Sequence, residues 1–155
     1  MTTPSSDIID LFMTRIEDYR LDSIFVTSGS LAFVTYIEPW LMDATNEFDI
    51  ADQDLTYITS GSSAEGYFLS DLSMKNKIMI SKLMVKYWLS RLVQNILQMN
   101  NSVQDRDYKT FSAAQNLKAK QDYLNSLKEE LSQDLMNYAY RNNDWPGWKN
   151  QIFDA

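Results

Sequence analysis

The side chains that could do chemistry here are carboxylates, lysines, serines and tyrosines, because the 155 residues include no histidine and no cysteine. Without histidine there is no Ser-His-Asp or Cys-His arrangement and no imidazole ligand for a transition metal. Without cysteine there is no thiolate nucleophile, disulfide framework or Cys-ligated metal. We therefore expect a protein that is not an enzyme and that holds neither a cofactor nor a metal.

The carboxylates do not form a recognisable site. Asp49, Asp52 and Asp54 lie in one acidic stretch, but the stretch lacks the glycine at position six and the terminal glutamate of a calcium loop. Glu129 and Glu130 fall on a predicted polar helix face, whereas glycoside hydrolysis needs a carboxylate pair in a cleft. The four glycines make no phosphate-binding motif. These acids are predicted to be solvated.

Lysines recur at Lys75, Lys77, Lys82 and Lys86, and a row of cations is the minimum requirement for binding nucleic acid. On a helix, however, their spacing spreads them around the circumference. We therefore do not expect direct recognition of DNA.

Charge is divided unevenly along the chain. Residues 1–72 hold 13 acids and 2 bases, a net charge of −11, and residues 73–155 hold 12 bases and 8 acids, a net charge of +4, which together give −7. Acidic segments can simply keep a monomer soluble. Alternatively, complementary halves favour head-to-tail contact between copies, the geometry that closes rings.

The apolar pattern predicts four helices. The first covers roughly 7–20, with serines before it and acids in its first turn, and Leu21 to Gly29 is predicted as an ordered loop or short strand. The second begins at Ser30 and, because of Pro39, is kinked near Glu38 or starts there. A third, central core helix is capped by Asp71 or Ser73.

Between the second and third helices, apolar residues occur at every second position instead of at helical spacing. Leu55 and Tyr57, then Tyr67 and Leu69, alternate around a Ser/Gly-rich loop, which predicts a small β-hairpin. The expected fold is therefore mainly all-α, a four-helix-bundle-like domain over residues 1–141 with a hairpin insertion at about 49–71.

The fourth helix is predicted over about 105–140, which at ~1.5 Å per residue is roughly 50 Å. A compact domain of this size has a radius of gyration of only ~15 Å, so part of the helix should project or pack on another copy. Its stripe of Leu117, Leu124, Leu131 and Tyr138 has a heptad step, and a coiled-coil dimer is an open alternative.

An extended tail, 142–155, follows this helix and carries four large apolar residues: Trp145, Trp148, Ile152 and Phe153. Aromatic anchors of this kind are typical of binding hot spots, so we predict a partner-binding segment. The alternative is that the tail folds back over the domain's own core.

The most apolar stretch of the chain, Ile78 to Leu97, is interrupted by charged residues, which predicts a soluble core helix rather than a membrane segment. No secretory signal is expected at the N-terminus.

The order of elements resembles that of the head-to-tail connector proteins, also called neck or adaptor proteins, of tailed bacteriophages. The likeness covers residues 7–140. It is carried by Asp-Ile-Ile-Asp-Leu-Phe at 7–12, Leu83-Met84 and Trp88-Leu89 in the third helix, and Asp107-Tyr108-Lys109 before Ser112 in the fourth.

This resemblance implies a non-enzymatic virion protein of the neck, assembled in the host cytoplasm. Roughly a dozen copies would form a ring that joins the portal protein to the tail and neck proteins. DNA would pass through the lumen without specific binding, and the C-terminal tail would dock on the portal or an adjacent subunit. Two alternatives remain: another neck, tail-completion or baseplate component, or a small intracellular helical adaptor or regulator.

Overall fold

Four helices and a small antiparallel sheet make up the described part of the chain. The computed structural model describes residues 2–16, 18–61, 64–102 and 110–142. The elements, in order, are β1 Thr3–Pro4, α1 Ser5–Met13, α2 Tyr19–Glu47, β2 Tyr57–Ile58, β3 Tyr67–Phe68, α3 Met74–Ser102 and α4 Thr110–Asn142. The predicted mainly α-helical fold with a small hairpin insertion is confirmed.

Helix α3 lies at the centre and packs against α1, α2 and α4. Its Ile80, Leu83 and Met84 are completely buried, as the predicted core helix requires. The predicted cap is Ser73, whose hydroxyl accepts a hydrogen bond from the Asn76 amide at 3.3 Å. Beyond Leu97 the helix continues to Ser102, further than the polar residues suggested.

The prediction of one helix over 7–20 was wrong, because α1 ends at Met13. The Thr14 amide donates to the Asp10 carbonyl, and the Thr14 hydroxyl donates to the Leu11 carbonyl at 2.8 Å, which satisfies the last turn. Asp18 then caps α2 by accepting from the Arg20 amide. The apolar spacing continues across this break, so it could not reveal the end of α1.

The segment Leu21 to Gly29, predicted as a loop or short strand, is instead helical as far as Ser28, and this correction has a tertiary cause. Leu21 is buried in the core, and the rings of Phe25 and Phe33 meet edge to face at 5.4 Å. These contacts offset the weak helix propensity of the β-branched residues. The interruption in α2 is at Gly29, where φ is +79°, a region that glycine adopts without a steric penalty.

Pro39 neither starts nor ends a helix. The backbone around it keeps helical dihedral angles inside α2. Its neighbours Ile37, Trp40 and Leu41 are all buried in the core, so their packing compensates for the lost hydrogen bond, which costs ~3 kcal/mol in a helix interior.

The sheet has the order β1-β3-β2. The predicted hairpin is the β2–β3 pair, with Tyr57 opposite Phe68. Strand β1 was not predicted; its Thr3 pairs with Phe68 on the other side of β3. A two-residue strand that contains a proline gives no alternation to read.

Helices α3 and α4 form a long antiparallel pair. Leu131 and Tyr138 join the main core, and Leu124 packs with Leu89 and Val93 in a second, smaller cluster. The heptad stripe therefore faces α3 of the same chain. Because α3 is nearly as long as α4, the length of α4 alone gives no argument for a second copy.

Candidate assembly surfaces

A polar network joins the loop after α2 to the start of α3 and the end of α4. The hydroxyl of the buried Tyr138 donates to Asp52 Oδ1 at 2.5 Å and lies 2.6 Å from Asn76 Oδ1. Asn76 Nδ2 donates to Asp52 Oδ1 at 2.9 Å and to Gln53 Oε1 at 2.7 Å. The amides of Asp52 and Ser73 donate to the Tyr138 hydroxyl and to Gln53 Oε1. Tyr138 and Asn76 are buried and Asp52 is exposed, so the network runs from the core to the surface and fixes three segments in one arrangement.

Through Asp52, this network makes the free energy of unfolding depend on pH in the acidic range. The hydrogen bond from Tyr138, with a second from Asn76, holds the pKa of Asp52 below its ordinary value of 3.8. A lowered folded-state pKa gives stability that is fully present above the ordinary value and is lost as pH falls through the lowered one. We expect the difference in free energy of unfolding between the wild type and Asp52→Asn to be constant near neutral pH and to narrow below pH 3.8.

Urea titrations from pH 7 to pH 2.5 measure this difference. The control is the same comparison in a Tyr138→Phe background, where the hydrogen bond that lowers the pKa is absent. In that background, the difference in free energy of unfolding should narrow less as the pH falls. An equal narrowing in both backgrounds would contradict the assigned cause.

A second polar cluster fixes the hairpin on α2. The buried Glu38 carboxylate accepts from the Tyr57 hydroxyl at 2.8 Å and from the Ser60 amide at 2.6 Å. Burial, together with this carboxylate, raises the pKa of Tyr57, so Tyr57 is a hydrogen-bond donor throughout the physiological range. The Gly66 amide donates to the Ser60 hydroxyl at 3.0 Å.

The four lysines considered for nucleic-acid binding are engaged within the chain. Lys77 pairs with Asp7 of α1 at 2.7 Å, Lys82 pairs with Asp134 of α4 at 2.6 Å, and Lys86 pairs with Glu47 of α2. Lys75 Nζ lies 3.8 Å from the centre of the Tyr138 ring. Hydrogen bonding to Asp134 raises the pKa of Lys82. These contacts position α3 against its three neighbouring helices.

The first surface of interest, the acidic groove, lies between α1, α2 and the hairpin loop and has a volume of about 440 Å³. Asp10 and Glu65 stand at its edge, and none of the described residues that line it is a lysine or arginine. Its apolar lining includes Ile9, Phe25, Phe33 and Val34.

The second surface, the basic groove, lies between the start of α3 and the end of α4 and has a volume of about 450 Å³. Its cations are Lys75, Lys82 and Arg141, and its apolar part is Ile78 and Met79. Asp134 also lines it and pairs with Lys82. The excess of positive charge makes this groove the electrostatic counterpart of the acidic one.

The two grooves lie on opposite sides of α3. Lys75 contacts Tyr138 of α4, and Lys77 contacts Asp7 of α1. Residues two apart on a helix differ by ~200° around its axis, so α1 and α4 are on nearly opposite sides. The uneven charge of the sequence therefore becomes two separated surfaces of opposite sign.

The loop acids have structural partners. Asp54 accepts from the Thr56 amide and hydroxyl, which lowers its pKa, and Asp52 belongs to the network above. Both side chains are exposed, in agreement with the predicted solvated loop, and they also accept hydrogen bonds within the chain. Within the described ranges, no group of three His, Cys, Asp or Glu side chains could hold a metal ion.

Helix α2 contains the most apolar window. By length and composition, Arg20–Glu47 could cross a membrane, with a mean hydropathy of 1.2. Its Phe33, Ile37, Leu41 and Ala44 are buried in the domain core, and 33% of the apolar window is buried in all. The prediction that Ile78 to Leu97 is the most apolar stretch of the chain was wrong.

The predicted partner-binding residues Trp145, Trp148, Ile152 and Phe153 lie outside the described residues. Large apolar side chains exposed on the described surface include Phe25, Val26, Met74 and Tyr140. Val26, 81% exposed, is next to Phe25 at the edge of the acidic groove. Phe25 itself lines the acidic groove and is 52% exposed, so this groove includes exposed apolar area of the kind that interfaces use.

Comparison of the chain with known protein families, curated proteins and solved structures gives no match. The interpretation of the grooves therefore depends on their own residues.

Sequence reasoning missed both grooves and the residues that support them. Tyr138 was recognised as a member of the apolar stripe, but its hydroxyl was given no role, and Asn76 was not singled out. The available signal was a tyrosine at the last position of an otherwise leucine seam, since a buried hydroxyl needs a partner.

Proposed function

We propose that this protein is a non-enzymatic structural component of a tailed-bacteriophage virion, a connector whose copies form a ring between portal and tail. The observation that carries the proposal is the pair of oppositely charged grooves on opposite sides of α3. A contact between two different surfaces of the same molecule is heterologous, and such contacts close into rings when the rotation permits.

In the proposed contact, Asp10 and Glu65 of one copy face Lys75 and Arg141 of the next. Both grooves combine charge at the edge with apolar lining, the usual composition of an interface. Charge complementarity fixes the order of copies, and the apolar parts supply affinity.

The C-terminal tail is the proposed anchor on the portal or an adjacent subunit. Each of Trp145, Trp148, Ile152 and Phe153 would contribute ~1.5 to 3 kcal/mol if fully buried by a partner. DNA would pass through the ring without specific contacts. This assignment is supported by the resemblance over residues 7–140 and by the involvement of the α3 lysines in contacts within the chain.

Charge reversal tests the contact. One variant carries Asp10→Lys and Glu65→Lys, and the other carries Asn137→Glu and Arg141→Glu, all at exposed positions that line the grooves. Like charges now meet in each variant, so neither should assemble alone. In an equimolar mixture every contact is complementary again, and alternating oligomers should return.

Native mass spectrometry, with purified portal protein added where the chain alone stays monomeric, measures the assembly. The control, Lys118→Glu with Lys128→Glu, changes exposed charges on α4 outside the basic groove and should assemble like the wild type. Assembly of either groove variant alone would rule out this interface. A wild type that remains monomeric with portal and tail partners would contradict the function.

A further inference from the structure

The basic groove lies where the described chain ends. Helix α4 ends at Asn142, and Arg141 of its last turn lines the groove. Residues 143–155 therefore begin beside this groove, whose aliphatic lining is the partly exposed Ile78 and the nearly buried Met79. This segment contains two tryptophans, an isoleucine and a phenylalanine.

Charge distinguishes the two grooves as sites for this segment. Asp144 and Asp154 outnumber Lys149, so residues 143–155 carry a net side-chain charge of −1 (one base minus two acids). The basic groove has Lys75, Lys82 and Arg141 against Asp134, a net charge of +2. The edge of the acidic groove would repel the same segment.

The sequence also provides a way for the chain to reverse direction. Pro146-Gly147 stands between Trp145 and Trp148, and proline followed by glycine is the typical centre of a type II β-turn. From Arg141 back to Asp134, the end of α4 that lines the groove spans only ~10 Å. An extended segment from Trp148 to Phe153 reaches ~20 Å, which covers that distance.

We propose that the basic groove binds the C-terminal segment 143–155 of the same chain, with its aromatic and aliphatic side chains on Ile78 and Met79. This docking concerns the free chain and holds whether or not copies assemble. If rings form as proposed above, the segment and the neighbouring copy compete for the groove, so docking limits self-association of the free chain.

Disulfide trapping tests the proposal in the full chain, which has no native cysteine. The test variant carries Asn137→Cys and Ile152→Cys, and the control carries Met136→Cys and Ile152→Cys. Positions 136 and 137 are both exposed on α4, but only Asn137 lines the basic groove. Neighbouring residues of a helix are ~100° apart around the axis and only ~1.5 Å apart along it, so both positions are nearly equally far from the end of α4.

At micromolar concentration under mild oxidation, peptide mapping should show an intrachain disulfide that forms at least about tenfold faster in the test variant. Equal rates in the two variants would overturn the proposal, since a segment that does not bind the groove meets both positions alike. Disulfides between chains in place of the intrachain bond would show that the groove binds the segment of a second copy, which would also overturn it.

Discussion

Replacing Gly66 by alanine should lower the free energy of unfolding by about 3 kcal/mol, the upper end of the usual range for overpacking. A Cβ at this position would lie 2.0 Å from the Tyr57 hydroxyl and 2.7 Å from the backbone oxygen of Ile58. Rotation of the Tyr57 side chain cannot relieve the overlap between the added Cβ and the Ile58 backbone oxygen, so β2 must also move. Displacing Tyr57 removes its hydrogen bond to Glu38 and leaves a buried carboxylate with one partner fewer.

Gly61→Ala is the matched control, because it lies in the same loop region and nothing lies within 4 Å of its added Cβ. It should stay within about 0.5 kcal/mol of the wild type, as surface substitutions usually do. Urea denaturation followed by circular dichroism measures both variants. Equal stability of the two would show that the close approach of Tyr57 to Gly66 does not constrain the hairpin.

Removing the Tyr138 hydroxyl by substitution with phenylalanine should cost about 2 to 3 kcal/mol. The ring can keep its edge-to-face contact with Phe48, 4.9 Å between centroids, so the packing change is small. What is lost is the partner of the Asp52 carboxylate and amide and of the Asn76 side chain. Asn76 is completely buried, so its side chain would lose a partner that water does not replace, whereas the exposed Asp52 can be solvated.

Tyr123→Phe is the control for the chemistry of the substitution, since Tyr123 is on the same helix and 55% exposed. Its effect on the free energy of unfolding should be within about 0.5 kcal/mol. A double-mutant cycle with Asn76→Ala then measures the coupling. Additive effects of the two changes would mean that Tyr138 and Asn76 do not act in one network.

The sequence predicts those parts of the fold that depend on local periodicity. The hairpin strands alternate clearly around Tyr57 and Tyr67, and the stripe of Leu124, Leu131 and Tyr138 identifies the buried face of α4. In these segments the side-chain pattern and the tertiary contacts agree, so the pattern is enough.

Other parts of the fold depend on contacts between residues that are distant in the sequence, and the local sequence pattern does not predict such contacts. Leu21 to Gly29 has strand-like composition, but it is helical as far as Ser28 because Leu21 lies in the core and Phe25 contacts Phe33. Pro39 is accommodated in a helix for the same kind of reason. The grooves could not be predicted either, because the uneven charge of the two halves does not say which residues share a surface.

The bond between Tyr138 and Asp52 joins residues 86 positions apart, and this separation has a consequence for how the protein is made. A ribosome adds about 5 to 20 residues per second, so Asp52 is synthesised on the order of 4 to 17 s before its partner. During that interval α1, α2 and the hairpin exist without the element that closes their core. The growing chain therefore exposes apolar surface until α4 emerges, and the synthesis of α4, rather than the folding of an early segment, sets the moment at which the domain becomes stable.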